Sequence, residues 1–299
     1  MLNVAQKAMK IGMNCELSAK AAIPVNDLHI QSQGLLWRYQ QAGSGPALML
    51  VHGLLGYSFS WRHALPVFAQ HATVYAVDLP GTGYSGRPKH LDCSLRASAQ
   101  RLLHFMDDVG IGSCDLLGTS HGGALSMMAA ALDPQRFRSL ILVAPVNPWS
   151  AHGKILSVLF TTPPVDSIFL RVFPRLDPVH EFYFRRLYGD TRRIRPGTLE
   201  GYRAPMKQEG SYEYALNLLR TWNHDLKALR ACLPAIADIP TLLAWGDRDA
   251  AVNPASAACL KKCFRDSRLC MMEGVGHLPY EEAPEQFNQT VVEFLQRGK

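Results

Sequence analysis

The segment Gly118-Thr119-Ser120-His121-Gly122-Gly123 puts one serine between glycines two residues before it and two after. A short apolar run, Asp115–Leu117, precedes it, and a helical stretch beginning near Ala124 follows. A serine held on a tight strand-to-helix turn is the arrangement of a nucleophile elbow, where small neighbours let other backbone approach closely. The start of the helix also brings backbone N–H groups and positive dipole to the serine. The chemistry this suggests is acyl transfer with Ser120 as nucleophile.

A serine hydroxyl attacks poorly unless a base takes its proton. His277, in Val275-Gly276-His277-Leu278-Pro279, stands on a loop just after the last apolar run and has the best context of the 11 histidines. His121 adjoins the serine, but its side chain is expected to point along the helix. His52 precedes a glycine and reads as structural. The base in turn needs an acid to hold its tautomer. Trp245-Gly246-Asp247-Arg248-Asp249 follows a strand and offers two aspartates. Asp249 is favoured, and Asp247, closer to the strand, is expected to serve the turn or pair with an arginine. The developing oxyanion needs donors. His52-Gly53-Leu54-Leu55-Gly56 follows another apolar run, and the backbone N–H groups of Leu54 and His121 are the natural pair. Leu55, Trp149 and Leu278 adjoin these motifs and are the expected substrate contacts.

Elements must bring these residues together. Leu28–Gln33 and Leu35–Gln40 flank Gly34 as a hairpin. Ala47–Val51, Thr73–Val77, Asp115–Leu117, Leu140–Ala144, Thr241–Trp245 and Ser267–Met272 are short apolar runs closed by Gly, Pro or Asp, or followed shortly by Gly. Such runs suit buried parallel strands. Helical stretches such as Leu95–Val109 and Ala124–Leu132 lie between them. This alternation predicts an α/β fold, a mostly parallel twisted sheet with helices on both faces. No buried strand interrupts the interval from Trp149 to Cys232, which is too long for a plain connection. It reads as an inserted helical unit. The expected division is an N-terminal helical extension over 1–26, a core over 27–148 and 233–299, and a helical cap over 149–232.

HGLLG, DLPGTGYSGRP, GTSHGG, LLAWGDRD and GVGHLPYEEAPEQF occur in this order from His52 to Phe287. Together they resemble the α/β-hydrolase superfamily over most of the chain. The resemblance implies the triad order Ser, Asp, His, a structural loop at Asp78-Leu79-Pro80-Gly81, and a helical cap between the sixth and seventh core strands. Some relatives carry the acid after the sixth strand, where this chain has Asn147. Haloalkane dehalogenases and epoxide hydrolases of this fold use an aspartate nucleophile, so Ser120 disfavours both. The leading reading is a serine hydrolase of carboxylic esters acting on a small-molecule ester. Carbon–carbon bond hydrolysis, thioester hydrolysis, acyl transfer or perhydrolysis on the same triad stay open. So does a non-catalytic receptor, although the triad is intact. No metal or organic cofactor is implied.

The proposed cap is rich in Phe and Tyr, which suits an apolar pocket, though packing onto the body is the alternative for any one of them. Its arginine excess either attracts an anionic group or forms a solvated face. The formal net charge of +6 is modest, and no nucleic-acid module accompanies it. Seven cysteines, odd in number and scattered, argue against a disulfide framework and for a reducing, cytoplasmic setting. No apolar run is long enough to span a membrane, and the first twenty residues lack the apolar stretch of a secretory signal. Val4, Ala8, Ile11 and Cys15 fall near helical spacing, as in a short amphipathic helix. A monomer or homodimer is expected.

Overall fold

The computed structural model describes residues 23–150 and 153–297. The expected N-terminal helix therefore lies almost wholly outside the described residues. Its boundary at residue 26 needs correction. Val25 and Asn26 belong to the first strand, paired with Ala42 and Gln41, because the hairpin partner is long enough to hold them.

The chain opens with a hairpin of β1 (Val25–Ser32) and β2 (Leu35–Ala42). It continues through β3 (Ala47–Val51), α1 (Leu65–Phe68), β4 (Thr73–Asp78), α2 (Leu95–Asp108), β5 (Cys114–Thr119), α3 (His121–Leu132) and β6 (Phe137–Val143). Five helices follow without a strand: α4 (Lys154–Thr161), α5 (Val165–Val172), α6 (Asp177–Arg185), α7 (Thr198–Met206) and α8 (Ser211–Cys232). The chain returns through β7 (Thr241–Gly246), α9 (Ala255–Lys261), β8 (Ser267–Met272), α10 (Pro279–Glu282) and α11 (Pro284–Leu295).

The strands form one sheet in the order β1-β2-β4-β3-β5-β6-β7-β8. β1, β2 and β4 pair antiparallel, and every other neighbouring pair is parallel. Strand side chains alternate between two core layers, as a period of two requires. Met49, Leu116, Leu142 and Leu243 face the layer shared with α2, α3 and α8. Leu48, Leu50, Leu117, Ile141 and Leu242 face the other layer, with α1 and α11. Burial on both faces explains why these strands read as unbroken apolar runs.

Two details differ from the sequence reading. The helix expected to begin near Ala124 begins at His121, directly after the serine. The expected boundary after Cys232 coincides with the end of α8, yet Tyr214, Leu218, Leu226 and Leu229 of that helix pack in the core layer beneath it. An apolar face along α8 binds it to the body as well as to the helices before it.

β4 and β5 flank β3 on opposite sides, so the connections after β3 and β4 diverge there. In open α/β sheets the crevice beyond the strand ends at such a switch point is where ligands bind. The loops after β3 and β5 both open into it.

Candidate active site

Ser120 links β5 to α3 with φ 54° and ψ −122°. A non-glycine residue at positive φ is strained and persists only where its surroundings hold it. Here Ser120 N–H donates to Val143 O at 2.9 Å, and Ser120 O accepts from Val146 N at 2.9 Å and Gly123 N at 3.1 Å. The flanking glycines are needed for close approach. A Cβ on Gly118 would collide with Gly122 O and Ser126 Oγ, and one on Gly122 with His52 O.

The loop after β3 lies against the serine. A Cβ on Gly53 would sit 3.0 Å from Ser120 Cβ. Leu55 turns the loop at φ 59°, and Gly56 N–H closes it onto Gly53 O at 3.0 Å. Neither Leu54 N–H nor His121 N–H donates to a main-chain carbonyl among the described residues. His52 fixes the loop from below. Its Nδ1 lies 2.8 Å from Gly53 O, and its Nε2 accepts from Leu79 N–H at 3.1 Å, in the loop after β4. Burial holds its pKa below the ordinary value, which keeps this bridging imidazole neutral.

His277 stands on the loop between β8 and α10 and is almost fully buried. Its Nδ1 lies 2.8 Å from Asp249 Oδ2. The other oxygen, Asp249 Oδ1, accepts from Ala251 N at 2.7 Å and Val252 N at 2.9 Å. These amides fix the carboxylate and leave one oxygen for the imidazole. Asp247 does something else: its Oδ1 accepts from Gly274 N at 2.7 Å and braces the turn. β7 and β8 are neighbours with Gly246 opposite Met272, so the loops bearing Asp249 and His277 start side by side.

Ser120 and His277 line one cavity of about 320 Å³. No hydrogen bond joins their side chains among the described residues. The cavity walls are mainly apolar. Phe173, Phe184 and Met206 come from the helices between β6 and β7; Leu55, Leu278 and Tyr280 come from the body. Ser60, Tyr202 and Arg203 add polar groups.

Of the three residues named as substrate contacts, Leu55 and Leu278 line this cavity and Trp149 does not. Asn147 Oδ1 accepts from Trp149 N at 3.0 Å and Ser150 N at 3.1 Å, which folds the chain into a tight turn. The indole then packs on the core, with the Arg230 guanidinium 5.9 Å from its ring centre. The His121 side chain is also outside the cavity wall, stacked on Trp222 at 6.1 Å. Burial, helped by nearby His52, pushes its pKa down to about 3, so it is a poor base.

Sequence reasoning gave no role to Glu281 and Glu282. Glu281 is buried against Arg62, with Arg62 Nη2 2.6 Å from Oε2, and accepts from the Tyr202 hydroxyl at 2.7 Å. Burial raises its pKa, and the Arg62 guanidinium opposes that rise. Glu282 Oε2 accepts from Gly276 N at 2.7 Å and Gly189 N at 2.9 Å, and Oε1 from Asp190 N at 2.8 Å. The available signal was a pair of acids closely following His277 and ending at Ala283-Pro284.

Among the described residues no cluster of His, Cys, Asp and Glu could hold a metal ion, and no helix is long and apolar enough to cross a membrane. A sequence-family model for the alpha/beta hydrolase fold matches residues 46–284. The chain belongs to this family. Lipase 3 of Moraxella sp. (strain TA144) is 31% identical over 244 residues, spanning 80% of this chain and 74% of the lipase. Epoxide hydrolase 4 of Mus musculus is 27% identical over 292 residues, spanning 90% of this chain and 78% of the relative. The crystal structure of a membrane phospholipase A superposes with a TM-score of 0.76 at 24% identity, covering 92% of this chain and 87% of that one. The last likeness is one of fold. Relatives of different chemistries share the hydrolase scaffold, so substrate class must be argued from the site.

Proposed function

We propose that this hydrolase cleaves carboxylic esters through an acyl-enzyme on Ser120, with His277 as general base and Asp249 as its orienting acid. The observation that carries the reading is the 2.8 Å contact between Asp249 Oδ2 and Nδ1 of His277, which lines the same cavity as Ser120. A carboxylate acceptor at Nδ1 keeps the proton there and leaves Nε2 with its lone pair. His277 Nε2 takes the Ser120 proton as Oγ bonds to the ester carbonyl carbon. The Leu54 and His121 N–H groups, which have no other main-chain acceptor among the described residues, receive the oxyanion. His277 then returns its proton to the leaving alcohol. Water, deprotonated by the same imidazole, releases the acid and regenerates the serine.

Serine at position 120, where epoxide hydrolases of this fold carry aspartate, favours acyl chemistry over epoxide opening. The helices between β6 and β7 act as the cap over the substrate. A cavity of about 320 Å³ is at the small end of ligand pockets, roughly 300–1,000 Å³, and its apolar walls suit short to medium acyl groups. The test is hydrolysis of p-nitrophenyl esters of increasing acyl length, wild type beside Ser120→Ala. Turnover that vanishes in the variant supports the reading. A folded wild type inactive on every ester defeats it and turns attention to carbon–carbon or thioester substrates.

A further inference from the structure

Among the described residues, eleven large apolar side chains are well exposed, and seven of them fall between Val158 and Tyr183 on or beside α4, α5 and α6. The remainder are scattered, as single exposed apolar residues usually are. Concentration on one helical segment needs a reason.

The charges of this segment are arranged in one direction. Its acids are tied up: Asp166 pairs with Arg220, Asp177 with Arg203, and Glu181 with Arg185. Arg171, Arg175 and Arg186 are exposed and have no carboxylate within ion-pair distance among the described residues. On α5 and the turn after it, Ile168, Arg171, Val172 and Arg175 recur at spacings of three and four, so apolar and cationic side chains share one outer face. Ile168 is 54% exposed and Phe182, on α6, 58%.

This face adjoins the cavity. Phe173, next to Val172, lines the cavity, and Tyr183, next to Phe182, both lines it and is 54% exposed. We propose that the α5–α6 face is a docking surface for an anionic lipid bilayer, with its apolar side chains in the interfacial layer and its arginines against lipid phosphates. An apolar stripe edged by cations is the pattern of helices that lie in a membrane interface. A second copy fits less well, because a twofold contact would set this cationic face against another of the same charge. Docking in this orientation sets the cavity-lining Tyr183 beside the lipid. The binding itself is independent of the ester reading, since it requires no turnover.

The experiment is sedimentation of the full chain with vesicles of phosphatidylglycerol mixed with phosphatidylcholine, beside vesicles of phosphatidylcholine alone. Three proteins are compared: wild type, the apolar variant Ile168→Ser/Val172→Ser/Phe182→Ser, and the charge variant Arg171→Gln/Arg175→Gln. Thermal unfolding confirms that each is folded. The expected result is wild-type binding to the anionic vesicles, weakened by salt, with partition reduced on the order of tenfold in the charge variant and at least as much in the apolar variant. The charge variant alone carries the test if the apolar one does not fold. No binding by the wild type overturns the proposal. Unchanged binding in the charge variant places lipid contact elsewhere in the chain and also overturns it. A wild-type dimer that ignores vesicles and dissociates in the apolar variant makes the face a contact between copies instead.

Discussion

One carboxylate oxygen of Glu282 accepts the N–H of Gly276, the residue before His277, at 2.7 Å. The same oxygen accepts Gly189 N–H at 2.9 Å, and its partner oxygen accepts Asp190 N–H at 2.8 Å. Glu282 thereby ties the loop of the proposed base to the segment after α6. A second link runs beside it, from His277 N–H to Leu187 O at 2.6 Å. Glu282→Ala strands three amides without their acceptor, and each lost bond to a charged group is worth roughly 1.5–3 kcal/mol. The expected outcome in urea unfolding is a loss of about 3 kcal/mol or more, together with reduced ester turnover. Glu282→Gln should fall between wild type and alanine, because it keeps one acceptor oxygen but turns donors toward a donor. Alanine and wild-type proteins of equal stability would remove Glu282 from this role.

The two aspartates after β7 should separate cleanly. Asp249→Asn exchanges the acceptor at His277 Nδ1 for a group that can favour the wrong tautomer, and kcat should drop by about 10⁴-fold. Asp247→Asn retains an oxygen for Gly274 N–H and should leave turnover near wild type. Steady-state kinetics on one soluble ester decides between them. Equal and large losses in two folded variants would leave Asp249 without its assigned part.

The backbone of Ser120 makes a prediction about stability. At φ 54° a side chain costs roughly 1–3 kcal/mol, which glycine escapes at the expense of a more flexible unfolded chain. Both Ser120→Ala and Ser120→Gly should be inactive, but the glycine variant should be the more stable by about 1 kcal/mol. Paired urea denaturation curves measure the difference. An alanine variant at least as stable as the glycine variant would mean that the elbow holds no strain.

Two histidines, buried His121 and half-buried His63, set the direction of the pH response. Burial, with a contribution from His52, pushes His121 down to about 3, and burial, with the charges of Arg62 and Arg195, pushes His63 down to about 4. The unfolded chain titrates them near an ordinary value of about 6.5. The folded state stays neutral where the unfolded state takes up protons. Their stabilising contribution is therefore complete above about pH 6.5 and is lost as pH falls toward the folded values. The melting temperature should decline on acidification through this window. In His121→Asn, unfolding near pH 5 should take up about one proton fewer than in wild type. An unchanged proton uptake in the variant would contradict this account.

Much of the fold was legible because buried parallel strands must be apolar on both faces. The runs at Ala47–Val51 and Thr241–Trp245 carry that mark whatever surrounds them. The elbow was legible for a related reason: only small residues at Gly118 and Gly122 leave room for Ser126 and His52 to come so close. Backbone geometry of this local kind is written in residue types and short spacings.

What the sequence by itself determined was the order of elements, the serine at the strand-to-helix turn, and a late aspartate and histidine on loops after strands. Only the tertiary structure decided which of these meet. Sheet order is set by non-local pairing, and it is the pairing of β7 with β8 that starts the Asp249 and His277 loops side by side. The same packing sent Trp149 to the core instead of the cavity, because the Asn147 turn redirects the chain where sequence distance suggested contact. It also gave Glu282 its bracing role, since Gly189 and Asp190 lie far upstream of it in the chain and meet it only in the fold. Local patterns specify elements through short-range sterics and burial. A site assembled from several loops depends on distances that no short-range rule contains.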